Sequence, residues 1–213
     1  MDKRLLITRS RHDPANQYLY AYSDEIIEDA QKLGWKVETA EDEKNNEQEV
    51  ASRLAKNKPN FVFFNGHGTD QSVHGYKDMK IIDVQSASKL SGSIVFARSC
   101  SALNSLGKEA VKRGCPAFIG HRGLFLIPRV FEYECQPGLN PTAKPVLDVS
   151  NIVGKHILKG DTAQVAVNAS QAKAGNLMLK MLSTTEPHNA AVFLALYQNS
   201  STLGFEGDPN ARA

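Results

Sequence analysis

The sequence predicts an α/β protein, a three-layer α/β/α sandwich around a mostly parallel sheet. Short apolar runs alternate with longer segments of helical period, the pattern of parallel strands joined by covering helices. The strand ends that carry chemically capable residues collect at one edge. At 213 residues and 41% hydrophobic content, the chain fits one ordinary soluble domain spanning residues 1–213.

Leu5 to Thr8 reads as the first strand. Tyr18 to Leu33 places Leu19, Tyr22, Ile26, Ile27, Ala30 and Leu33 on one helical face, and Gly34 supplies the stop. Trp35 to Thr39 gives a second strand, and an acidic stretch leads into a helix over Val50 to Lys56 that ends before Pro59. Phe61-Val62-Phe63-Phe64 is a buried strand that runs directly into Asn65-Gly66-His67-Gly68. A polar loop and a short helix from Val84 to Leu90 follow. Ser93 to Ala97 is the next buried strand, and it ends at Arg98-Ser99-Cys100. Leu103 to Arg113 is helical, and Ala117 to Gly120 is a further strand. Residues 128–145 form a proline-containing loop long enough to suggest function. Ile152 to Leu158 and Thr162 to Leu182 read as helices, the second capped by Asp161 or Thr162. The tail from Ala190 onward is ambiguous between helix and strand.

Composition excludes several classes. With 25 Lys+Arg against 23 Asp+Glu and a net charge of +2, nothing marks a nucleic-acid footprint. Cys100, Cys115 and Cys135 are odd in number and widely spaced, so neither a disulfide framework nor a thiolate zinc site is indicated. The amino terminus lacks a signal-like apolar run, and no apolar run approaches the ~18 residues of a membrane span. These features predict a cytoplasmic protein with no membrane or nucleic-acid partner. No Gly-rich phosphate loop follows the first strand, which removes a nucleotide-binding reading and leaves no cofactor indicated.

Ligands of open parallel sheets bind beyond the carboxyl ends of the strands. His67 and Cys100 lie at two such ends. Flanking glycines let the backbone at His67 approach a ligand closely. Cys100 stands where a strand turns toward a helix whose amino terminus favours an anion. A nucleophile and a base on neighbouring strand ends form a catalytic pair. Histidine precedes cysteine here, whereas glutamine-amidotransferase-like and α/β-hydrolase sites place the nucleophile first. His67, Asp70 and His74 have a spacing that suggests a metal site, but they fall in a Gly-containing loop and not on one helical face, so no metal is assigned. His121 reads as a solvated loop histidine and Cys115 as a core thiol.

Taken together, Phe61-Val62-Phe63-Phe64-Asn65-Gly66-His67-Gly68 and Ser93-Ile94-Val95-Phe96-Ala97-Arg98-Ser99-Cys100-Ser101 resemble the His-Gly and Cys blocks of the caspase-like cysteine peptidases, which include caspases, gingipains and CHAT-domain relatives. The tail Leu203-Gly204-Phe205-Glu206-Gly207-Asp208-Pro209 is similar to the stretch that closes gingipain-type catalytic domains. The resemblance implies a caspase-like fold and a cysteine endopeptidase acting on peptide or protein substrates. Cys100 would be the nucleophile, His67 its acid-base partner, and the backbone N–H groups of Gly68 and Cys100 the oxyanion hole. In this family the residue two before the nucleophile lines the S1 pocket, and caspases add an arginine after their first strand. Those positions are Arg98 and Arg9 or Arg11, and Arg122 follows another strand at the same edge. Four guanidiniums suited to bidentate carboxylate binding predict an acidic P1 residue. The competing reading pairs Arg98 with Glu109 or leaves it to cap its own strand. Glu132 and Glu134 in the long loop are then sites of self-processing. The alternative function is a non-proteolytic scaffold of the same fold, controlled, as the enzyme also could be, by a regulatory partner protein.

Overall fold

The computed structural model describes residues 3–213. In chain order the strands are β1 (Arg4–Arg9), β2 (Lys36–Glu41), β3 (Phe61–Asn65), β4 (His67–Gly68), β5 (Ser72–His74), β6 (Lys80–Asp83), β7 (Ile94–Arg98), β8 (Ala117–His121) and β9 (Leu203–Gly207). The helices are α1 (Pro14–Lys32), α2 (Glu47–Asn57), α3 (Ser105–Lys112), α4 (Ala143–Leu158), α5 (Ala163–Met181) and α6 (Asn189–Thr202).

The central sheet has the order β2-β1-β3-β7-β8-β9. All neighbours are parallel except β8 and β9, which run antiparallel at one edge. A period of two sorts the strand residues between two cores. Leu5, Ile7, Phe61, Phe63, Ile94 and Phe96 face one side and pack with Ile26, Val153 and Val167, which α1, α4 and α5 contribute. Leu6, Val62, Phe64, Val95 and Phe118 face the other and pack with Val50, Leu54 and Leu106 of α2 and α3. Apolar strands covered on both faces by helices make the three layers the sequence predicts.

The chain leaves β1 for β2 on one side and then returns to β3 on the other side of β1. That reversal opens a crevice at the carboxyl ends of β1 and β3, the place where such sheets bind ligands.

Several boundaries differ from the sequence reading. Residues 67–83, of which the part after Gly68 reads as a polar loop, form a second sheet, β4-β5-β6, in which His67 pairs with His74. Val84 to Leu90 contracts to a 3₁₀ turn, Ala87–Leu90. The ambiguous tail resolves into α6 and β9. Thr162 caps α5, its Oγ1 accepting from Val165 N at 3.2 Å, while Asp161 pairs instead with His156 at 2.7 Å. Loop 122–142 is pinned at its base by the buried Asn140, whose Nδ2 donates to the Tyr18 hydroxyl at 2.7 Å and to Val130 O at 3.1 Å. Among the described residues no helix is long and apolar enough to cross a membrane.

Candidate active site

Register brings the histidine and cysteine segments together. Asn65 of β3 is the partner of Arg98 of β7, so His67 and Cys100 each lie two residues beyond a paired position on adjacent strands. The approach is close enough that a Cβ on Gly68 would overlap the Cys100 carbonyl oxygen and sit 2.8 Å from both Cβ and Oγ of Ser99. Gly66 is similarly confined, here against the backbone of His74. Only glycine fits at either position, and this is the physical reason for the Gly-His-Gly pattern. The same packing makes neighbours of the two backbone segments that the resemblance assigns to an oxyanion hole.

Cys100 does not open a helix, as the sequence suggested. Residues 99–104 form a turn in which Ser101 has φ 54°, and α3 begins only at Ser105. The sulfur is partly buried and accepts a hydrogen bond from Phe125 N at 3.3 Å, which ties it to the loop after β8. Cys115 is buried beside Ser93 O and Ala117 O, and burial pushes its thiol up to about 12. Cys135 is exposed.

His67 is half exposed, with 47% of its side chain open to solvent, and its Nε2 donates to Asp13 Oδ2 at 2.9 Å. Asp13 is the residue the sequence reading missed. It caps α1 by accepting from Asn16 N at 2.9 Å, and Asn16 Nδ2 donates to its Oδ2 at 2.7 Å. Burial pushes the Asp13 carboxyl up, but the Asn16 and His67 hydrogen bonds outweigh it and hold the group below its ordinary range. The local signal was legible: Asp-Pro just past a strand is a helix-start pair, Asp at the cap and Pro at the first helical position. What the pair faces is a tertiary fact. A cleft of about 460 Å³ opens on this side of His67, lined by His12, Asp13, Gly68, Thr69, His74 and Asp78.

The four arginines do not converge on a pocket. Arg98 is 0% exposed, and its guanidinium donates to Asn65 Oδ1 and Asn151 Oδ1, both at 2.8 Å, and to Leu19 O at 3.1 Å. It shares a strand face with Ile94 and Phe96, and α1 and α4 cover that face, which excludes a substrate carboxylate. Burial lowers its pKa to about 9. Of the competing readings, the pairing with Glu109 fails, since Glu109 pairs with Arg113 at 2.6 Å, whereas a structural role at the end of its strand is what these buried bonds give Arg98. Arg9 is buried over the Tyr20 ring and paired with Asp24 and with Glu41. Arg11 and Arg122 are exposed, and each has a carboxylate of its own, Asp42 at 2.5 Å and Glu206 at 2.8 Å.

His121 is not a solvated loop residue. It ends β8 at 2% exposure, with Nδ1 3.2 Å from Thr202 Oγ1, and burial lowers its pKa to about 4. The His67-Asp70-His74 spacing does not close on a metal either. Asp70 Oδ1 accepts from Asn104, and His74 is bonded to Ser72 and Asp78.

Comparison with known proteins supports the architecture. No protein-family model matches the chain, and no curated protein matches it in sequence. Solved structures do match. The Arg-specific cysteine proteinase gingipain R aligns over 97% of this chain and 46% of its own, with TM-score 0.56 and 12% identity. The complex of the pro- and mature domains of the Porphyromonas gingivalis enzyme RgpB aligns over 97% of this chain and 47% of that one, with TM-score 0.58 and 13% identity. The chain thus has the fold of the caspase-like cysteine proteinases and spans about half the length of these two neighbours.

Proposed function

We propose that this protein is a cysteine endopeptidase working through His67 and Cys100, with Asp13 orienting the histidine. The observation that carries the reading is the Asn65–Arg98 register, which sets both residues on adjacent strand ends, together with the carboxylate on His67 Nε2. A nucleophile, a base and a third group that orients the base are the parts of nucleophilic catalysis. With Nε2 committed to Asp13, Nδ1 is the nitrogen left for proton transfer.

In the proposed cycle His67 Nδ1 takes the Cys100 thiol proton as Sγ attacks the scissile carbonyl carbon, and passes it to the amide nitrogen, which leaves as an amine. Water then attacks the thioester, His67 takes its proton, and the carboxylic acid departs as the thiol is restored. The N–H groups of Gly68 and Cys100 stabilise the oxyanion, an effect typically worth a few kcal/mol. Residues 1–213 act as one peptidase domain in this reading.

The preference for an acidic P1 residue survives in reduced form. Of the four arginines, only Arg11 and Arg122 present guanidiniums to solvent, and a substrate carboxylate must compete there with Asp42 and Glu206. Self-processing would use Glu132, which is exposed, before Glu134, which lies 3.6 Å from Arg129. The pro-domain complex of one neighbour supports a regulatory partner as part of the same reading.

A fluorogenic peptide library together with an electrophilic peptide ketone tests all of this. The expected result is hydrolysis by the wild type and labelling on Cys100, both lost in Cys100→Ala and hydrolysis lost in His67→Ala. Cleavage only after Arg or Lys would end the acidic-P1 reading. No hydrolysis and no labelling would favour the scaffold.

A further inference from the structure

Two imidazoles, not one, converge on the Asp13 carboxylate. His12 Nε2 and His67 Nε2 each lie 2.9 Å from Asp13 Oδ2, and the three ligand atoms fall within 4.8 Å of one another. The same oxygen accepts from Asn16 Nδ2 at 2.7 Å, so three nitrogens crowd one carboxylate oxygen. His12 comes from the turn after β1 and His67 from the strand end after β3, so the crevice at the sheet reversal is what assembles the trio.

We propose that His12, Asp13 and His67 bind a divalent zinc-class ion, and that the bound ion reversibly withdraws His67 from Cys100. The regulatory consequence rests on the peptidase reading; the metal binding does not.

Two imidazole nitrogens and one carboxylate suit Zn²⁺ and its transition-metal neighbours better than Mg²⁺ or Ca²⁺. At Zn–N and Zn–O distances of about 2.0–2.2 Å, tetrahedral ligand atoms stand about 3.3–3.5 Å apart. Each nitrogen–oxygen separation of 2.9 Å need therefore open by only about 0.5 Å, and the two nitrogens, within 4.8 Å of each other, settle to the same spacing around the ion. Ligation uses the Nε2 lone pair, so the proton that His67 Nε2 donates to Asp13 in the metal-free protein moves to Nδ1, and each ring binds as the neutral Nδ1–H form. On His12 that proton has an acceptor waiting, because Ser10 Oγ is 3.1 Å from Nδ1 and Ser10 is buried. An imidazole ligand whose second nitrogen is held by a hydrogen bond is the usual arrangement around bound zinc. Asn16 holds the carboxylate in the same supporting way through its backbone and side-chain nitrogens. Three protein ligands leave a fourth position, open to the cleft of about 460 Å³ and available to water.

The test is a zinc titration of the full chain against a chromophoric chelator, run on wild type, His12→Ala, Ser10→Ala and Cys100→Ala. One ion per chain is expected, with affinity unchanged in Cys100→Ala and weakened more than about 100-fold in His12→Ala. Ser10→Ala leaves every ligand in place and should weaken binding about tenfold, which guards against a His12 variant that simply misfolds. Cobalt bound at the site should show tetrahedral d–d bands without a thiolate charge-transfer band. Binding that disappears in Cys100→Ala but persists in His12→Ala would place the metal on the thiol and overturn the site. Failure of the wild type to bind micromolar zinc would do the same. In the peptidase assay, zinc should inhibit over the concentration range that fills the site, and a chelator should restore the rate. Full activity with the site filled overturns the regulation. Metal-free protein with no hydrolysis overturns the peptidase reading and the regulation with it, while the site stands or falls on the titration.

Discussion

Asp13 and His67 are 54 residues apart in the chain, yet the histidine donates from Nε2 to the aspartate's Oδ2 at 2.9 Å. The contact crosses from the start of α1 to the end of β3 and so depends on those strands being neighbours. It fixes both the orientation of the ring and which of its nitrogens carries a proton.

Asp13→Asn should lower kcat/KM on the order of 100-fold or more, because a neutral amide can rotate and present a donor where the imidazole needs an acceptor. Asparagine still caps a helix, so stability should hold, whereas Asp13→Ala should also lose about 1 kcal/mol with the cap. Paired kinetics and urea denaturation of the two variants check this. An Asn variant with wild-type kcat/KM would remove Asp13 from the site.

Gly68→Ala puts a methyl group against the Cys100 carbonyl and the Ser99 side chain. Backbone must shift to admit it, at about 1–3 kcal/mol, and the displaced segment is the one bearing the nucleophile. Activity should fall further than stability does. Gly175→Ala is the control, since nothing lies within 4 Å of its Cβ position and it sits inside α5. That change should stabilise by about 0.5–1 kcal/mol and leave activity alone.

Arg98→Ala should cost stability, not substrate recognition. It strands Asn65 Oδ1 and Asn151 Oδ1 in the interior and removes a second donor from Leu19 O. The expected loss is about 3 kcal/mol or more, read as a lower urea midpoint. Arg98→Lys keeps the charge without the planar fork and should fall between, with an unchanged ratio of rates on acidic and neutral P1 peptides. A selective loss of acidic substrates would return Arg98 to the pocket.

Acid should loosen the fold through His121. Burial holds its folded pKa at about 4 against an ordinary 6.5, so below 6.5 the unfolded chain binds a proton that the folded one does not. Stability is therefore complete above 6.5 and falls as pH drops toward about 4, by up to about 3 kcal/mol. Unfolding free energies from urea denaturation at about pH 7.5 and about pH 5 should differ by about 2 kcal/mol more in the wild type than in His121→Gln. Equal slopes would show that His121 already carries its proton in the folded state.

The apolar runs and helical periods were enough to place all five parallel strands, because β1, β3, β7 and β8 are covered on both faces and have to be apolar along their length, while the edge strand β2 is only partly buried. They also marked His67 and Cys100, which stand where those runs stop. The short strands β5 and β6 escaped notice because two or three ordered residues leave no period to detect. Arg98 was misread for a related reason. Its phase with Ile94 and Phe96 pointed it into a core, but whether that core extends to the strand end depends on where α1 and α4 lie.

By itself, then, the sequence determined the five parallel strands, the helices that cover them and the residues at those strand ends, since period and turn chemistry act over a few residues. Only the tertiary structure decided what those residues meet. It set Asp13 and His12 on His67 from a loop more than fifty positions away, and it closed Arg98 off from solvent. It also gave Arg9, Arg11 and Arg122 carboxylate partners that no local pattern encodes. Charge pairing and burial are properties of strand order and helix placement, and the order β2-β1-β3-β7-β8-β9 is fixed by long-range packing.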